Sequence, residues 1–264
     1  MRDGEQITSN KNTRVKHLRS LAEKKYRYRY CQLVIEGLRL VEDALAAGVN
    51  FLSIFYSPYL YTRPGGEELL KKLTSRPGVE CNYLTDELLQ EVADTESPQG
   101  LLAIIEWPRL KIDNHKRLLL IDGLKDPGNL GTVIRTAAAV GCGGILLMKG
   151  TVDPYNPKVV RATMGAIFRI PLLFFPGTAE ALDWVQERKL RLVVAERGGT
   201  TFYQLSLTRD LVLVIGSEAE GVSKALIEAA EAVATVPLSP GVESLNASIA
   251  SGIILYEVYR QQEG

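Results

Sequence analysis

The sequence is poor in the residues that most often build hydrolytic, metal or disulfide sites. It has only two histidines, one in a basic N-terminal segment and one in a charged stretch near residue 115, and three cysteines that lie far apart. This scarcity argues against a Ser–His–Asp triad, a histidine-based metal site and a disulfide framework. The sequence therefore predicts chemistry that uses neither histidine nor a metal ion.

Long apolar segments and nucleotide-binding fingerprints are also missing. No apolar run approaches the roughly 18–20 residues that a membrane span requires, and the first ten residues are polar, unlike a secretory signal. We therefore expect a cytoplasmic protein without a membrane partner. The nearest match to the dinucleotide fingerprint Gly-x-Gly-x-x-Gly lies at 141–144, but it precedes a strand and does not open a helix. A phosphate-binding loop with its lysine does not occur either.

The overall composition is that of an ordinary globular protein, with 46% hydrophobic and 23% charged residues. Its 264 residues suffice for about two domains at roughly 150 residues each. The net charge is zero, yet residues 1–30 contain nine Lys or Arg against three Asp or Glu, a net of +6, so residues 31–264 must carry −6. Charge segregated in this way is typical of a polyanion-binding arm.

Tyrosines alternate with basic residues in this arm, in the run Lys24–Tyr30. Such a run can contact phosphates and also stack on bases. It can equally form a solvated amphipathic helix whose tyrosines pack on the core, and composition alone leaves both interpretations open. The candidate contacts to nucleic acid are Lys11, Arg14, Lys16, Lys24, Lys25, Arg27 and Arg29.

Hydrophobic periodicity divides the chain into a smaller α/β domain at 1–107, a charged linker at 108–117 and a larger domain at 118–264. In the first domain we predict helices at about 12–25, 37–47, 67–73 and 85–93, and strands at 31–36, 51–56, 79–84 and 101–107. In the second we predict helices at about 130–140, 179–188, 222–231 and 245–261, and strands at 118–121, 145–148, 172–175, 190–195, 211–215 and 233–237. Strands that are apolar on both faces predict a mostly parallel sheet with helices on both faces.

Three loops follow strands of the second domain, where open parallel sheets bind their ligands. In the first, 122–135, Asn129 is a plausible helix N-cap, and Arg135 lies about 140° from Leu130, off the apolar stripe. In the second, 211–221, Gly216 ends the strand where the absence of a Cβ would let a ligand approach the backbone. Glu218 and Glu220 follow it, where an acidic charge before a helix can simply favour the helix N-terminus.

The third loop, 236–248, leads into the last predicted helix. Ser244 can cap this helix, and Leu245, Ile249, Ile253 and Tyr256 predict its apolar face. Asn246 in the first turn is a mediocre helix former, which favours a cap or a functional role. Taken singly, Arg135 on a solvated helix face and an N-terminal cap cluster remain the simpler interpretations.

Together and in this order, the three loops resemble the signature motifs of the SpoU-type (TrmH) RNA ribose 2′-O-methyltransferases. The segments 10–21, 34–41 and 95–100 resemble the RNA-binding accessory domain of that family. The sequence departs slightly from the family pattern at Thr132-Val133, at Leu238, where methionine is frequent, and at Ala247, where valine is frequent. These changes are conservative in size.

The resemblance implies a knotted α/β fold that binds S-adenosylmethionine and acts as a homodimer on structured RNA. The accessory domain favours ribosomal RNA as the substrate. It implies cofactor contacts at Gly216, Val236, Leu238 and Leu245. It also implies a catalytic set of Asn129, Arg135, Glu218, Ser244 and Asn246. Because a guanidinium stays protonated, we expect Arg135 to bind the RNA phosphate and to stabilise the developing alkoxide, whereas family proposals make it a general base.

Three other functions fit the same sequence. A non-catalytic RNA-binding protein could retain the fold, but all the polar motif residues are present. A knotted enzyme that methylates a base is disfavoured by the Asn129/Arg135 and Ser244/Asn246 pairs. A ribose methyltransferase acting on transfer RNA is the third, and only the accessory domain argues for ribosomal RNA over it.

Overall fold

The computed structural model describes residues 6–264, which form two compact units. One unit runs up to Pro108 and includes Tyr155–Phe168; the other comprises Arg109–Pro154 and Arg169–Gly264. The helices are α1 Thr13–Ser20, α2 Lys24–Tyr30, α3 Leu38–Ala46, α4 Gly66–Thr74, α5 Asp86–Val92, α6 Pro127–Ala139, α7 Pro157–Ala162, α8 Thr178–Glu187, α9 Lys224–Glu228 and α10 Ala247–Glu263. The strands are β1 Gln32–Glu36, β2 Phe51–Tyr56, β3 Glu80–Tyr83, β4 Leu101–Glu106, β5 Arg117–Asp122, β6 Gly144–Met148, β7 Leu172–Phe175, β8 Arg191–Thr201, β9 Leu211–Gly216 and β10 Ala232–Thr235.

The first unit is built on a four-stranded sheet in the order β1-β4-β2-β3. β4 is antiparallel to both of its neighbours, while β2 and β3 are parallel. Helices α1 and α5 cover this sheet, and Val15, Leu18 and Leu21 are buried in a cluster with Phe55 and Leu102. The apolar side of the basic arm is therefore part of the core of this unit.

The single helix predicted at about 12–25 is wrong in its extent. The chain leaves the helix at Leu21–Glu23 in a short turn, and a second helix, α2, carries the tyrosines. Arg27 is only 3% exposed, and its Nη1 donates to the carbonyl oxygens of Leu21 and Ala22 at 2.9 and 2.6 Å. Arg27 thus provides hydrogen bonds to two carbonyl oxygens in the turn between α1 and α2. It is a buried structural residue, and its predicted role in contacting RNA does not fit the structure.

The second unit contains a six-stranded, fully parallel sheet in the order β10-β8-β9-β5-β6-β7. Alternate residues of its strands, such as Leu118 and Val212, pack in a cluster with Ala181 of α8 and Leu226 of α9. The residues between them point to the opposite face, and α6 and α10 contact the strands. The predicted parallel sheet flanked by helices is confirmed.

The chain does not divide as simply as the sequence suggested. Arg117, placed in the linker, is the first residue of β5. Helix α7, which was not predicted, belongs with the first unit, where Val159 and Val160 are fully buried. Among the described residues, no helix is long and apolar enough to cross a membrane.

The last helix presents a different face to the core than its sequence predicted. Its buried positions are Ser248, Ser251, Ile254, Leu255 and Val258. Of the predicted apolar face, Ile249 and Tyr256 are instead more than half exposed, at 53% and 54%. Two small serines allow α10 to pack closely against its neighbours, which a hydrophobicity pattern does not register.

The end of α10 is tied to the start of β5. The buried guanidinium of Arg117 bonds to the carboxylate of Glu263, to Gln262 Oε1 at 3.0 Å and to a backbone carbonyl. Lys116 Nζ bonds to the same carboxylate at 3.0 Å. These hydrogen bonds, first that from Lys116 and then that from Arg117, lower the pKa of Glu263 from its ordinary value.

Candidate active site

Three neighbouring strands, β8, β9 and β10, border one cavity in the second unit at or near their carboxyl ends. The cavity has a volume of about 540 Å³, within the usual range of roughly 300–1,000 Å³ for small-molecule sites. Seven residues that the sequence assigned to cofactor binding or catalysis line it: Gly216, Glu218, Val236, Leu238, Ser244, Leu245 and Asn246. The other two, Asn129 and Arg135, lie on α6 and do not line the cavity.

One wall of the cavity is the loop that follows Gly216. Ser217 and Gly221 exchange two backbone hydrogen bonds, of 3.1 and 3.0 Å, so the loop folds back on the strand end. A Cβ at Gly216 would lie 2.1 Å from the carbonyl carbon of Gly221 and 2.3 Å from Val222 N. Its own loop, which passes over it, therefore requires a glycine at position 216, and the close approach of a ligand that the sequence suggested stays a prediction.

A second, adjoining part of the lining is an irregular segment of β8. Strand β10 pairs with two residues of β8, skips residues 195–199, and pairs with two more. Ala195, Glu196 and Arg197 of the skipped segment line the cavity. The sequence missed all three because its predicted strand ended at Ala195, and pairing with a strand some 40 residues away determines this bulge.

Three of the five predicted catalytic residues form a chain of hydrogen bonds. Asn129 Nδ2 donates to Glu218 Oε1 at 2.7 Å, and Asn246 Nδ2 donates to Asn129 Oδ1 at 2.9 Å. The three residues come from three different motif loops; Glu218 and Asn246 are exposed, and Asn129 is half-buried. This arrangement fixes the side chains relative to one another and leaves Glu218 Oε2 without a hydrogen bond within residues 6–264.

Two predicted helix caps are corrected by the structure. Asp126, not Asn129, caps α6, because its Oδ1 accepts the backbone N–H of Asn129 at 2.7 Å. Asn246, not Ser244, caps α10, because its Oδ1 accepts from the N–H groups of Ser248 and Ile249. Asn129 and Ser244 are thereby released from capping; Ser244 is exposed to solvent, and Asn129 is half-buried.

Arg135 is placed as the helical wheel predicted. It is exposed on α6, six residues after Asn129, and within residues 6–264 it has no hydrogen-bond or ion-pair partner. An arginine without an acidic partner keeps its full fork of donors for a ligand. Ser244 is likewise exposed and has no bonded partner in the same part of the chain.

The predicted RNA contacts in the first unit fall into three groups. Arg27 is buried, as described above. Arg14 pairs with Glu80 at 2.5 Å and Lys25 with Glu23 at 2.8 Å, both near the surface. The remaining cations are exposed and have no acidic partner among residues 6–264; they are Lys11, Lys16, Lys24 and Arg29.

The tyrosines of α2 lie next to these cations. Lys24 Nζ lies 5.1 Å from the ring centre of Tyr28, and the Arg29 guanidinium 5.6 Å from that of Tyr30. Tyr28 and Tyr30 are 37% and 42% exposed. The face therefore combines free cations with accessible rings, the combination that binds unpaired nucleotides.

The cavity fits a sulfonium cofactor better than a metal ion. No group of three or more His, Cys, Asp or Glu suited to hold a metal occurs within residues 6–264. Apolar residues such as Leu238, Leu245 and Ile254 form one part of the lining, and carboxylates of Glu196 and Glu218 form another. Such a lining suits a ligand with an apolar body and positive charge.

Comparisons with known proteins agree with this site. Residues 116–256 match the SpoU rRNA Methylase family, and residues 12–103 match the MRM3-like substrate binding domain. The chain is 35% identical to an uncharacterized tRNA/rRNA methyltransferase of Synechocystis over 97% of this chain and 94% of that protein. It is 34% identical to the 23S rRNA (guanosine(2553)-2′-O)-methyltransferase RlmP of Bacillus subtilis, over 96% of this chain and 98% of that protein.

Solved structures give the same result. An AdoMet-bound rRNA methyltransferase from Sinorhizobium meliloti superposes with a TM-score of 0.85 at 31% identity, over 97% of both chains. The SpoU methyltransferase AviRb from Streptomyces viridochromogenes, in complex with AdoMet, gives 0.87 at 28% identity, over 96% of this chain and 99% of that one. The resemblance stated from the motifs is thus confirmed, and the chain belongs to the SpoU family of AdoMet-dependent RNA methyltransferases.

Proposed function

We propose that this protein transfers a methyl group from S-adenosylmethionine to a ribose 2′-hydroxyl of ribosomal RNA. The observation that carries the proposal is the hydrogen-bonded series Glu218–Asn129–Asn246 beside the cavity. It joins residues of all three motif loops in one unit. Relatives named as rRNA 2′-O-methyltransferases, among them RlmP of Bacillus subtilis, support ribosomal RNA over transfer RNA.

In this function, the cavity holds the cofactor and the polar series positions the ribose. When bound, S-adenosylmethionine supplies a methyl group on a positively charged sulfur. Leu238, Leu245 and the backbone around Gly216 would hold it against the strand ends. Orientation of the two reactants is then the main contribution of the protein, since aligned reactants gain large effective concentrations.

The polar residues bind the ribose 2′-hydroxyl and stabilise the negative charge that develops on its oxygen as the proton leaves. Glu218 Oε2 and the side chain of Ser244 are available to hydrogen-bond the 2′-hydroxyl, while Asn129 and Asn246 hold Glu218 in place. The unpaired guanidinium of Arg135 binds the adjacent RNA phosphate and stabilises negative charge that develops on the oxygen. No step requires a histidine or a metal ion.

The test is single-turnover methylation of ribosomal RNA, with the product mapped by mass spectrometry. Arg135→Ala should lower the rate roughly 10²–10³-fold, as the loss of one preorganised donor does, and leave cofactor affinity and thermal stability near those of the parent protein. Arg209→Ala removes a similarly exposed guanidinium of the same unit and serves as the control. A folded Arg135→Ala enzyme with parent-like rate would refute the assigned role of Arg135, and the absence of any 2′-O-methyl product from the parent protein would refute the function.

The two units divide the work in this proposal. The first unit binds the RNA, through the exposed cations and rings of α1 and α2 and the cation before them, and the second unit carries the knotted catalytic domain. The match of residues 12–103 to a substrate binding domain supports this division. The protein would work in the cytoplasm, where ribosomal RNA is available.

We also propose that the protein is a homodimer. Ile249, Tyr256 and Tyr259 on α10 are 53%, 54% and 41% exposed, which is unusual for large apolar side chains of one helix. Sedimentation equilibrium of Tyr256→Glu should give a monomer, whereas Tyr61→Glu, at a tyrosine of the first unit that is 46% exposed, should sediment as the parent dimer does. A monomeric parent protein would refute this part of the proposal.

A further inference from the structure

The cavity of the second unit is acidic. The charged side chains that line it are Glu196, Glu218, Glu243 and Arg197, which gives three negative charges and one positive charge, a net of −2. None of the three carboxylates has an ion-pair partner among residues 6–264. The N-terminus of α10 brings partial positive charge to the same cavity, but Asn246 already accepts hydrogen bonds from its first free N–H groups.

The fold holds Glu196 through both its backbone and its side chain. Its backbone carbonyl accepts the hydroxyl of Thr235 at 2.6 Å, which anchors the bulge of β8 to β10. Its Oε2 lies 3.5 Å from Val222 N, and a Cβ at Gly221 would come within 2.7 Å of the same oxygen. The half-buried carboxylate therefore lies against the loop that follows Gly216, and nothing in the three sequence motifs pointed to it.

The reaction changes the charge of the molecule in this cavity. S-adenosylmethionine carries an ammonium, a carboxylate and a sulfonium, a net of +1. Transfer breaks the bond between the methyl carbon and sulfur and forms a bond from that carbon to the ribose oxygen; the hydroxyl proton is released, and sulfur keeps the bonding electron pair. The product, S-adenosylhomocysteine, therefore has no net charge.

We infer that Glu196, assisted by Glu243, makes the cavity select the sulfonium cofactor over its neutral product. The inference rests on the proposed function, since it assigns the cavity to S-adenosylmethionine. Unpaired carboxylates in a partly enclosed cavity attract a positive ligand more strongly than they would in open solvent. The loss of one positive charge on methyl transfer then weakens binding of the spent cofactor and favours its release.

The experiment is calorimetric titration with three ligands of nearly the same shape: S-adenosylmethionine, S-adenosylhomocysteine and sinefungin, in which an amine replaces the methylsulfonium and carries the positive charge. The parent protein should bind the two positive ligands more tightly than the neutral one. Glu196→Gln should reduce that preference about three- to tenfold. Glu243→Gln should reduce it in the same direction, and the double variant should reduce it further.

Glu220→Gln is the matched control, because Glu220 lies on the same loop as Glu218, is exposed and does not line the cavity. Its preference should equal that of the parent protein, and thermal unfolding of each variant checks its fold. An unchanged preference in folded Glu196→Gln and Glu243→Gln, or an equal loss in Glu220→Gln, would overturn the inference. If none of the three ligands binds the folded parent protein, the assignment of the cavity, and with it the proposed function, fails instead.

Discussion

Replacing Gly216 by alanine is the sharpest test of how the cavity is built. The added Cβ would lie 2.1, 2.3 and 2.3 Å from three backbone atoms of Gly221 and Val222. Backbone atoms cannot rotate away, so the loop would have to withdraw by roughly 1 Å or more to reach ordinary contact distance. The two hydrogen bonds between Ser217 and Gly221 would be lost or strained by this movement.

The expected loss of stability follows from these contacts. Overpacking of this kind costs about 1–3 kcal/mol, and each of two neutral hydrogen bonds contributes about 0.5–1.5 kcal/mol. We expect the free energy of unfolding to fall by about 2–6 kcal/mol, a decrease in melting temperature on the order of 10 °C for a unit of this size. Since Glu218 belongs to the same loop, its 2.7 Å bond to Asn129 should also be disturbed, and methylation should decrease.

Thermal and urea unfolding of Gly216→Ala measure the effect, with Gly252→Ala as the control. Gly252 lies within α10, and its Cβ would meet only the methyl group of Thr136 at 3.7 Å, an ordinary contact. Its replacement should leave stability unchanged or raise it by up to ~1 kcal/mol, the gain in helix propensity. If Gly216→Ala unfolds at the parent temperature, the packing of the loop over Gly216 is not what requires glycine.

Three further predictions concern other parts of the chain. Replacing Lys16, Lys24 and Arg29 together by glutamate should weaken RNA binding and lower the slope of log K against log salt by about 2–3, one phosphate contact for each charge; an unchanged slope in filter binding would mean that this face does not meet RNA. Glu263→Gln should lower the melting temperature at pH 7, and the difference from the parent should shrink as the pH falls below about 4. The sign follows because the folded-state pKa of Glu263 is lowered, so its stabilisation is present above the unfolded-state value and is lost on acidification; a difference that is constant from pH 7 to pH 3 would contradict this. Burial raises the pKa of Cys142 to about 12, so its thiol should react with a thiol reagent at pH 8 only after unfolding, and early labelling at Cys142 in a peptide map would count against its burial.

The sequence predicted the sheet and the meeting of the three loops because both depend on local signals. Short apolar strands followed by glycine-rich loops place Glu218 and Asn246 at one edge of a parallel sheet, whatever the details of each turn. The assignment of Asn129 as a cap failed because Asp126 competes for the same role, and Asp126 precedes a proline that favours the first helical position. Pro127 could therefore have identified Asp126 as the helix cap from the sequence alone.

Other features could not be read from the sequence, because they depend on distant partners. Burial of Arg27 requires the two carbonyls that the break after α1 leaves free. The bulge that carries Glu196 requires the displaced pairing of β10. The exposed side of α10 depends on close packing at Ser248 and Ser251, which hydrophobic periodicity assigns to the surface.

The late position of α7 in the chain has a consequence for synthesis on the ribosome. The first unit runs to Pro108, but its buried residues Val159 and Val160 leave the exit tunnel much later. At about 5–20 residues per second, the roughly 60 residues from 108 to 168 take about 3–12 s. During that interval the nascent chain carries an unfinished apolar surface while the first strands of the second unit are already emerging. The two units therefore cannot mature strictly one after the other.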